Sequence, residues 1–135
     1  MRTQHVAQRS VNDTLSPIAV VERYLRGLKD RNLAGVPLAP DVVFQGPLSP
    51  KLIGVDAVME ILEQMLPVIR DVRIQRHITE GDWVATMFEL ETDFGVVPVC
   101  DCFHVVNGQL KQIRPFYDPR PIVEGMARQR AQETA

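Results

Sequence analysis

Apolar and polar positions alternate most regularly between Val96 and Tyr117, where the chain reads VVPVCDCFHVVNGQLKQIRPFY. The alternation predicts two strands, because successive side chains of a strand point to opposite faces of a sheet. Asn107 and Gly108 stand between them and tolerate the positive φ angles that a two-residue type I′ turn requires. The stretch therefore predicts a long antiparallel hairpin.

The first strand of this hairpin places one acid in the middle of an apolar face. Asp101 shares that face with four apolar residues: Val97, Val99, Phe103 and Val105. A carboxylate in such a place must be paired, hydrogen-bonded or neutralised through a raised pKa. Asp101 is therefore the first candidate for chemistry. The opposite face carries Pro98, Cys100, Cys102, His104 and Val106.

Two segments ahead of the hairpin repeat apolar residues every three or four positions, as amphipathic helices do. Ser16 and Pro17 predict the start of the first helix, as N-cap and first helical residue, and the polar segment 30–32 predicts its end. The second helix is predicted from Val55, and Pro67 should end it at the preceding residue. Each helix is expected to bury one apolar face.

The remaining pattern predicts strands at 41–45 and 83–92, and short helices within 33–38 and 122–130. Apolar residues alternate with polar ones from Val72 onward, which predicts a further strand. Its apolar residues should share one face: Val72, Ile74 and Ile78. Helices that precede an antiparallel meander are typical of the α+β class. We expect a cone-shaped α+β barrel, in which the N-terminal helices pack on the concave face of a curved antiparallel sheet and leave a pocket inside.

Length and composition fit one domain with a real core, at 135 residues, 45% hydrophobic and 24% charged. We divide the chain into a flexible N-terminal arm (1–14), a single domain (15–130) and a frayed tail (131–135). The net charge of −2, without a basic stripe, argues against nucleic acid and membrane surfaces as partners. The chain shows no apolar run of signal-peptide or membrane-spanning type, which predicts a cytoplasmic protein.

The predicted outer face of the sheet is too apolar to be left in water, since it combines aliphatic, aromatic and thiol side chains: Trp83, Ala85, Met87, Cys100, Cys102 and Val106. We expect a homodimer in which two such faces pack together. Polar contacts at its rim would come from Glu89, Glu91, His104 and Arg114. The two cysteines point the same way along one strand, which disfavours an internal disulfide, and no second ligand cluster accompanies them. No metal and no cofactor are therefore expected.

Three segments together resemble the nuclear transport factor two-like superfamily, in particular its SnoaL-like group. They read VVERYLRGLKDRNL from Val20, PDVVFQGPLSPKLIGVDAVMEIL from Pro40 and VPVCDCFHVVNGQLKQIRPFYDP from Val97. The resemblance spans about 17–119 and implies the cone-shaped fold. The group includes polyketide cyclases, ketosteroid isomerase and limonene epoxide hydrolase, so the resemblance also implies a pocket for a small hydrophobic molecule.

The resemblance to ketosteroid isomerase places Tyr24 and Asp101 at its oxyanion hole, which consists of a tyrosine and a protonated aspartic acid. Gly46 stands where the isomerase has its general base, so that base is missing. The resemblance to limonene epoxide hydrolase likewise finds no catalytic group at that enzyme's catalytic positions. Those positions hold Phe44, Gly46, Phe88, Leu90 and Pro115.

The predicted pocket is apolar around a few polar groups, so desolvation should raise the pKa of the Asp101 carboxyl. Such a group can donate a hydrogen bond to a substrate oxygen, or act as a base if its pKa is near neutral, with Tyr24 as a second donor. The candidate catalytic residues are Asp101 and Tyr24. The candidate substrate-binding residues are Tyr117, Phe44, Met59, Leu62, Leu66, Phe88, Leu90, Phe103, Ile113 and Pro115.

Three functions stay open at this point. The first is a cofactor-free enzyme of isomerase or cyclase type that transfers protons on a hydrophobic carbonyl compound. The second is a non-catalytic ligand-binding or dimerisation module of the same fold, in which Asp101 and Tyr24 only hydrogen-bond each other. The third is an epoxide hydrolase with a rearranged water site. The substrate, the replacement for the missing base and a lid role for the loop 46–54 are also open.

Overall fold

In the computed structural model, which describes residues 16–134, three α-helices pack on a six-stranded sheet. The helices are α1 (Pro17–Asp30), α2 (Val55–Met65) and α3 (Arg120–Thr134), with a short 3-10 helix at Leu66–Val68. The strands are β1 (Leu38–Phe44), β2 (Leu52–Ile53), β3 (Ile69–Glu80), β4 (Trp83–Thr92), β5 (Gly95–Val106) and β6 (Gln109–Phe116). The predicted N-terminal arm, 1–14, lies outside the described residues.

The sheet is curved and unclosed, with the strand order β2-β1-β6-β5-β4-β3. The α+β class and the cone-shaped architecture are confirmed. The expectation of a wholly antiparallel sheet is wrong in one place, since β1 and β6 run parallel. All of the chain between these strands forms their connection, so no hairpin forces them into an antiparallel pair.

The hairpin at the centre of the sheet forms as predicted, from β5 and β6. Asn107 and Gly108 have φ angles of 51° and 73°, the positive values that a type I′ turn requires. The predicted inner face of β5 is buried along its length, at Val97, Val99, Asp101, Phe103 and Val105. Asp101 is therefore held at the middle of a long, paired strand in the hydrophobic core.

Helix α1 begins and ends where the sequence predicts. The Ser16 hydroxyl oxygen accepts a hydrogen bond of 3.1 Å from the Ala19 amide, and Pro17 opens the helix. Arg31 caps the other end in a left-handed conformation with a φ of 54°. The buried face of α1 includes Tyr24, which the helix directs toward the inner face of the sheet.

The prediction of a short helix within 33–38 is wrong. The segment 33–38 forms no helix, because Gly35 adopts a positive φ and Pro37 disfavours a helical conformation at the residue before it. The tail predicted to fray is helical through Thr134, as the last turn of α3. Ala131, Gln132 and Glu133 are good helix formers, so the helix continues even though these residues are exposed.

Strand β3 does not keep the period of two along its whole length. Ile74 pairs with Phe88, but a register shift follows, and His77 then pairs with Thr86. A bulge of this kind adds one residue to one strand and reverses which side chains face inward beyond it. His77 therefore turns toward the inner face, and Ile78 turns to the outer face with 55% of its surface exposed. The expectation that Ile78 shares a face with Ile74 is wrong for this reason.

Candidate functional site

A cavity of about 220 Å³ lies between the helices and the inner face of the sheet. Its wall is mostly apolar and draws on all three helices and on strands β1, β3, β4, β5 and β6. Both candidate catalytic residues line it. The predicted site residues in its wall are Tyr24, Phe44, Phe88, Leu90, Asp101, Pro115 and Tyr117.

The structure places the other five predicted lining residues outside the cavity wall. Phe103 shares a face with Asp101, but its ring is fully buried and packs against the ring of Tyr24 in a T-shaped pair, with centroids 5.6 Å apart. Leu62 and Ile113 are fully buried in the same packed core, and Leu66 packs against it from the 3-10 helix. Met59 borders a separate open depression beside acidic residues of α2. Only part of the inner face therefore surrounds the cavity.

The sequence did not identify several residues of the cavity wall. Gln64 of α2 lies between Ile61 and Met65 on one helical face, and all three line the cavity. Helix α3 contributes Ile122 and Met126, four positions apart. The spacing of three and four residues was a usable signal in both helices. The other unpredicted residues in the wall are Leu28, Gly46, Leu48, Ser49, Val68, Ile69, Thr92 and Val99.

Asp101 is the buried acid of this cavity, with only 2% of its surface exposed. Its Oδ1 has no hydrogen-bond partner among the described residues. Burial disfavours the charged carboxylate and raises the pKa of Asp101 to about 7. At neutral pH the carboxyl is therefore present in both forms, so it can accept a proton in one and donate it in the other.

Two phenols share the cavity with this acid. Tyr24 is buried, and burial together with the charge of Asp101 raises its pKa well above the usual value. Burial and the same charge also raise the pKa of Tyr117, which follows strand β6. Both hydroxyls therefore keep their protons at neutral pH and can donate hydrogen bonds to a ligand oxygen.

The cavity wall has little room for an added base at Gly46. A Cβ atom built on Gly46 would lie 3.1 Å from Cγ of Pro115, which is a tight contact. Phe44, Phe88 and Leu90 also line the cavity. The positions that the epoxide hydrolase resemblance singles out therefore converge on this cavity and supply no group that could activate a water.

His104 lies away from the cavity, on the outer face of the sheet, where its ring stacks on Trp83 at 4.2 Å. Cys100 and Cys102 are free thiols on the same face. Within residues 16–134, no three His, Cys, Asp or Glu side chains are grouped so that they could hold a metal ion. None of the helices in that range is long and apolar enough to cross a membrane.

Comparison with known proteins matches a family described as the SnoaL-like domain over residues 21–113. A steroid delta-isomerase from Pseudomonas aeruginosa is 22% identical, with a TM-score of 0.69 and coverage of 94% of this chain and 97% of that one. An LEH-like epoxide hydrolase from M. tuberculosis is 24% identical, with a TM-score of 0.65 and coverage of 83% and 90%. A candidate SnoaL-like polyketide cyclase from Jannaschia sp. CCS1 is 17% identical, with a TM-score of 0.68 and coverage of 86% and 94%. No curated protein matches the chain.

Proposed function

The chain belongs to the SnoaL-like domain family and has the nuclear transport factor two-like fold, and we propose that it is a cofactor-free enzyme that transfers protons on a hydrophobic carbonyl compound. Solved proteins of this fold include an isomerase, an epoxide hydrolase and a candidate cyclase. The observation that carries the proposal is Asp101, a buried acid whose Oδ1 has no partner among residues 16–134. Buried polar atoms normally have partners, and a ligand would supply this one.

In the proposed reaction, the ionised Asp101 removes a proton from the carbon next to the carbonyl group. The carbonyl oxygen then carries the charge of an enolate, which the hydroxyl groups of Tyr24 and Tyr117 stabilise by donating hydrogen bonds. In an isomerase, the protonated Asp101 returns the proton to another carbon. In a cyclase, the enolate attacks a second carbonyl group, and the protonated Asp101 gives its proton to the alkoxide oxygen that forms. A pKa of about 7 suits Asp101 to both halves of this cycle, because proton transfer is most efficient when the pKa is near the working pH.

The size and lining of the cavity favour a compact, apolar ligand. An engineered apolar cavity of about 150 Å³ in another protein binds benzene, and the present cavity measures about 220 Å³. Besides Asp101 and the two tyrosines, the polar side chains of the wall are Ser49, Gln64 and Thr92. The hydroxyls of Ser49 and Thr92 already donate to backbone carbonyl groups, so Gln64 is the main further contact for a ligand. A cyclic ketone or enone with one or two rings would fill this space.

Deuterium uptake tests this proposal without knowledge of the natural substrate. A panel of cyclic ketones and enones is incubated with the protein in D₂O, and exchange at the carbon next to the carbonyl is followed by proton NMR. We expect catalysed exchange for ligands that fit, about 100-fold or more slower exchange with Asp101→Asn, and a smaller loss with Tyr24→Phe. Asp56→Asn makes the same chemical change on an exposed helix position and should leave the rate unchanged.

The second candidate function is a binding module that keeps the cone and performs no chemistry. The tight wall at Gly46 and the apolar groups around it favour this alternative. The same panel separates the two, since a binding module would show ligand-induced NMR shifts at the cavity residues without deuterium uptake. Exchange that is equal with and without Asp101 would also contradict the enzymatic proposal.

We also propose that the outer face of the sheet pairs two copies of the chain. This face exposes Trp83 by 46%, Phe116 by 49% and Ile78 by 55%. The Arg114 guanidinium lies over the Phe116 ring at 5.2 Å, and its buried Nε has no hydrogen-bond partner among the described residues. An apolar patch of this kind around an unpaired donor is typical of a protein interface.

A further inference from the structure

Three polar side chains form a hydrogen-bonded row behind the cavity, across three elements. His77 of β3 lies between the other two, with Nδ1 at 2.7 Å from Oγ1 of Thr86 and Nε2 at 2.9 Å from Oε2 of Glu22. A carboxylate only accepts hydrogen bonds, so Nε2–H donates to Glu22. When the ring is neutral, Nδ1 then accepts from the hydroxyl of Thr86. The bulge in β3 creates this row, because it turns His77 toward the inner face.

The row resembles a nucleophile, a base and an orienting acid, but Thr86 cannot attack a ligand. Thr86 is fully buried and is absent from the cavity wall, so a bound molecule does not reach its hydroxyl. Thr86 lies next to Asp101, because the two residues are paired across the antiparallel strands β4 and β5. Directly paired positions place Cβ atoms about 4.5–5.5 Å apart on one face of a sheet. The two side chains do not hydrogen-bond each other here, so joining them requires a rotation of the Asp101 carboxyl or a bridging water.

We propose that Thr86, His77 and Glu22 form a proton relay that connects Asp101 to solvent on the side away from the cavity. This inference rests on the proposed function, in which Asp101 carries the proton. The outer end of the row is open, since Glu22 borders a surface groove between α1 and β3 that is separate from the cavity. At the inner end of the row, Thr86 lies next to Asp101, whose Oδ1 has no partner among residues 16–134. A ligand that fills the cavity leaves this route clear.

One proton enters the relay and one leaves it. The O–H bond of Asp101 breaks and its proton passes to Oγ1 of Thr86, while the proton of Thr86 passes to Nδ1 of His77. The proton on Nε2 passes to Glu22, which releases it to water, and His77 remains neutral as the other tautomer. The reverse passage, when Asp101 takes up a proton again, restores the starting tautomer. Only bonds to hydrogen change.

Charged groups lie at both ends of the relay. At the outer end, the groove that Glu22 borders is also lined by the cationic groups of Arg26, Lys29 and Arg73. At the inner end, the ionisable groups that feel the charge of Asp101 inside the cavity are Tyr24 and Tyr117.

Carboxyl-carbon NMR of Asp101 near its titration midpoint measures the rate at which its proton exchanges with solvent. We expect one averaged resonance for the wild-type protein and for Thr86→Ser, which keeps a hydroxyl group. Thr86→Val has nearly the same shape without a hydroxyl, and we expect about 100-fold slower exchange, seen as severe broadening or two separate resonances. His77→Gln and Glu22→Gln should slow exchange in the same way. Glu60→Gln, at an exposed position of α2, is the matched control for Glu22→Gln.

The relay is contradicted if Thr86→Val, His77→Gln and Glu22→Gln all keep the averaged resonance of the wild-type protein. It is also contradicted if Thr86→Ser slows exchange as much as Thr86→Val, since that result would indicate a packing role. This readout needs no turnover and no ligand. Failure of the relay is therefore distinct from failure of the proposed function, which the deuterium-uptake experiment with Asp101→Asn tests.

Discussion

The raised pKa of Asp101 comes from its burial among apolar residues. The sequence predicted the face of β5 on which Asp101 lies, because the period-two alternation of this strand is unbroken. The apolar residues on the same face also predicted the direction of the pKa shift. The contact between His77 and Thr86 could not be predicted. It depends on a bulge that no residue near Ile74 signals, and one added residue reverses every face beyond it.

The burial of Asp101 makes the stability of the protein depend on pH. Its pKa is about 3.9 in an unfolded chain and about 7 in the folded protein. Between these values the folded state binds more protons, so the free energy of unfolding falls as the pH rises from 4 to 7, by at most roughly 4 kcal/mol. Below this range both states are protonated, and above it both are ionised, so Asp101 adds no further slope.

Asp101→Asn should remove this contribution, because the amide is neutral in both states. We expect the variant to gain stability relative to the wild-type protein as the pH rises from about 4 to about 7. Urea unfolding of both proteins across that range measures the difference, and Asp56→Asn serves as the control for an exposed acid. Parallel curves for wild type and Asp101→Asn would show that the acid is not desolvated.

The helices and strands themselves were largely predictable, because their caps, turns and periodicity are local signals. The Ser16 cap, the Asn107-Gly108 turn and the end of α2 before Pro67 all form as predicted. The parallel pairing of β1 with β6 was not predictable, because the two strands are far apart in sequence and no turn fixes their direction. Helix α3 was predicted, but its place in the cavity wall was not.

Helix α3 lies close to the turn between β4 and β5, where Gly125 faces the ring of Phe94. A Cβ atom on Gly125 would overlap that ring, since the two atoms would be 2.3 Å apart. Gly125→Ala should therefore displace α3, at a cost of about 1–3 kcal/mol, which exceeds the gain of about 1 kcal/mol that alanine brings to a helix. Faster amide hydrogen exchange across 120–134 would report the displacement.

A double variant separates this steric effect from a general weakening of α3. Phe94→Ala removes the ring, so adding Gly125→Ala to it should cause no further loss and could restore some helix stability. The two changes should thus be strongly non-additive. Additive effects on hydrogen exchange would contradict a direct contact as the attachment of α3.

The architecture of the molecule was predictable because the whole pattern of helices, loop and hairpin resembles one superfamily. The shape of the cavity was not, since it depends on how side chains fill the cone. Phe103 packs against Tyr24 and is left out of the cavity wall, while Ile122 and Met126 of α3 form part of that wall. Packing of this kind is a property of the assembled core rather than of any one element.

A substitution on the outer face of the sheet tests the proposed dimer. Met87 lies on this face beside Cys100, and Met87→Glu places a charge where two apolar sheets would meet. We expect the wild-type protein to sediment as a dimer at micromolar concentration and Met87→Glu as a monomer. Val123→Glu, an apolar-to-acidic change at an exposed site on α3, should remain dimeric. A wild-type protein that sediments as a monomer would contradict the proposal.

The most direct test of the proposed site is the titration of Asp101 itself, followed through its carboxyl-carbon resonance and assigned with Asp101→Asn. A desolvated acid in an apolar cavity should titrate with a midpoint near 7. A midpoint near 4, as for an acid in water, would mean that the carboxyl is solvated, and it could then no longer serve as the proton carrier of this site.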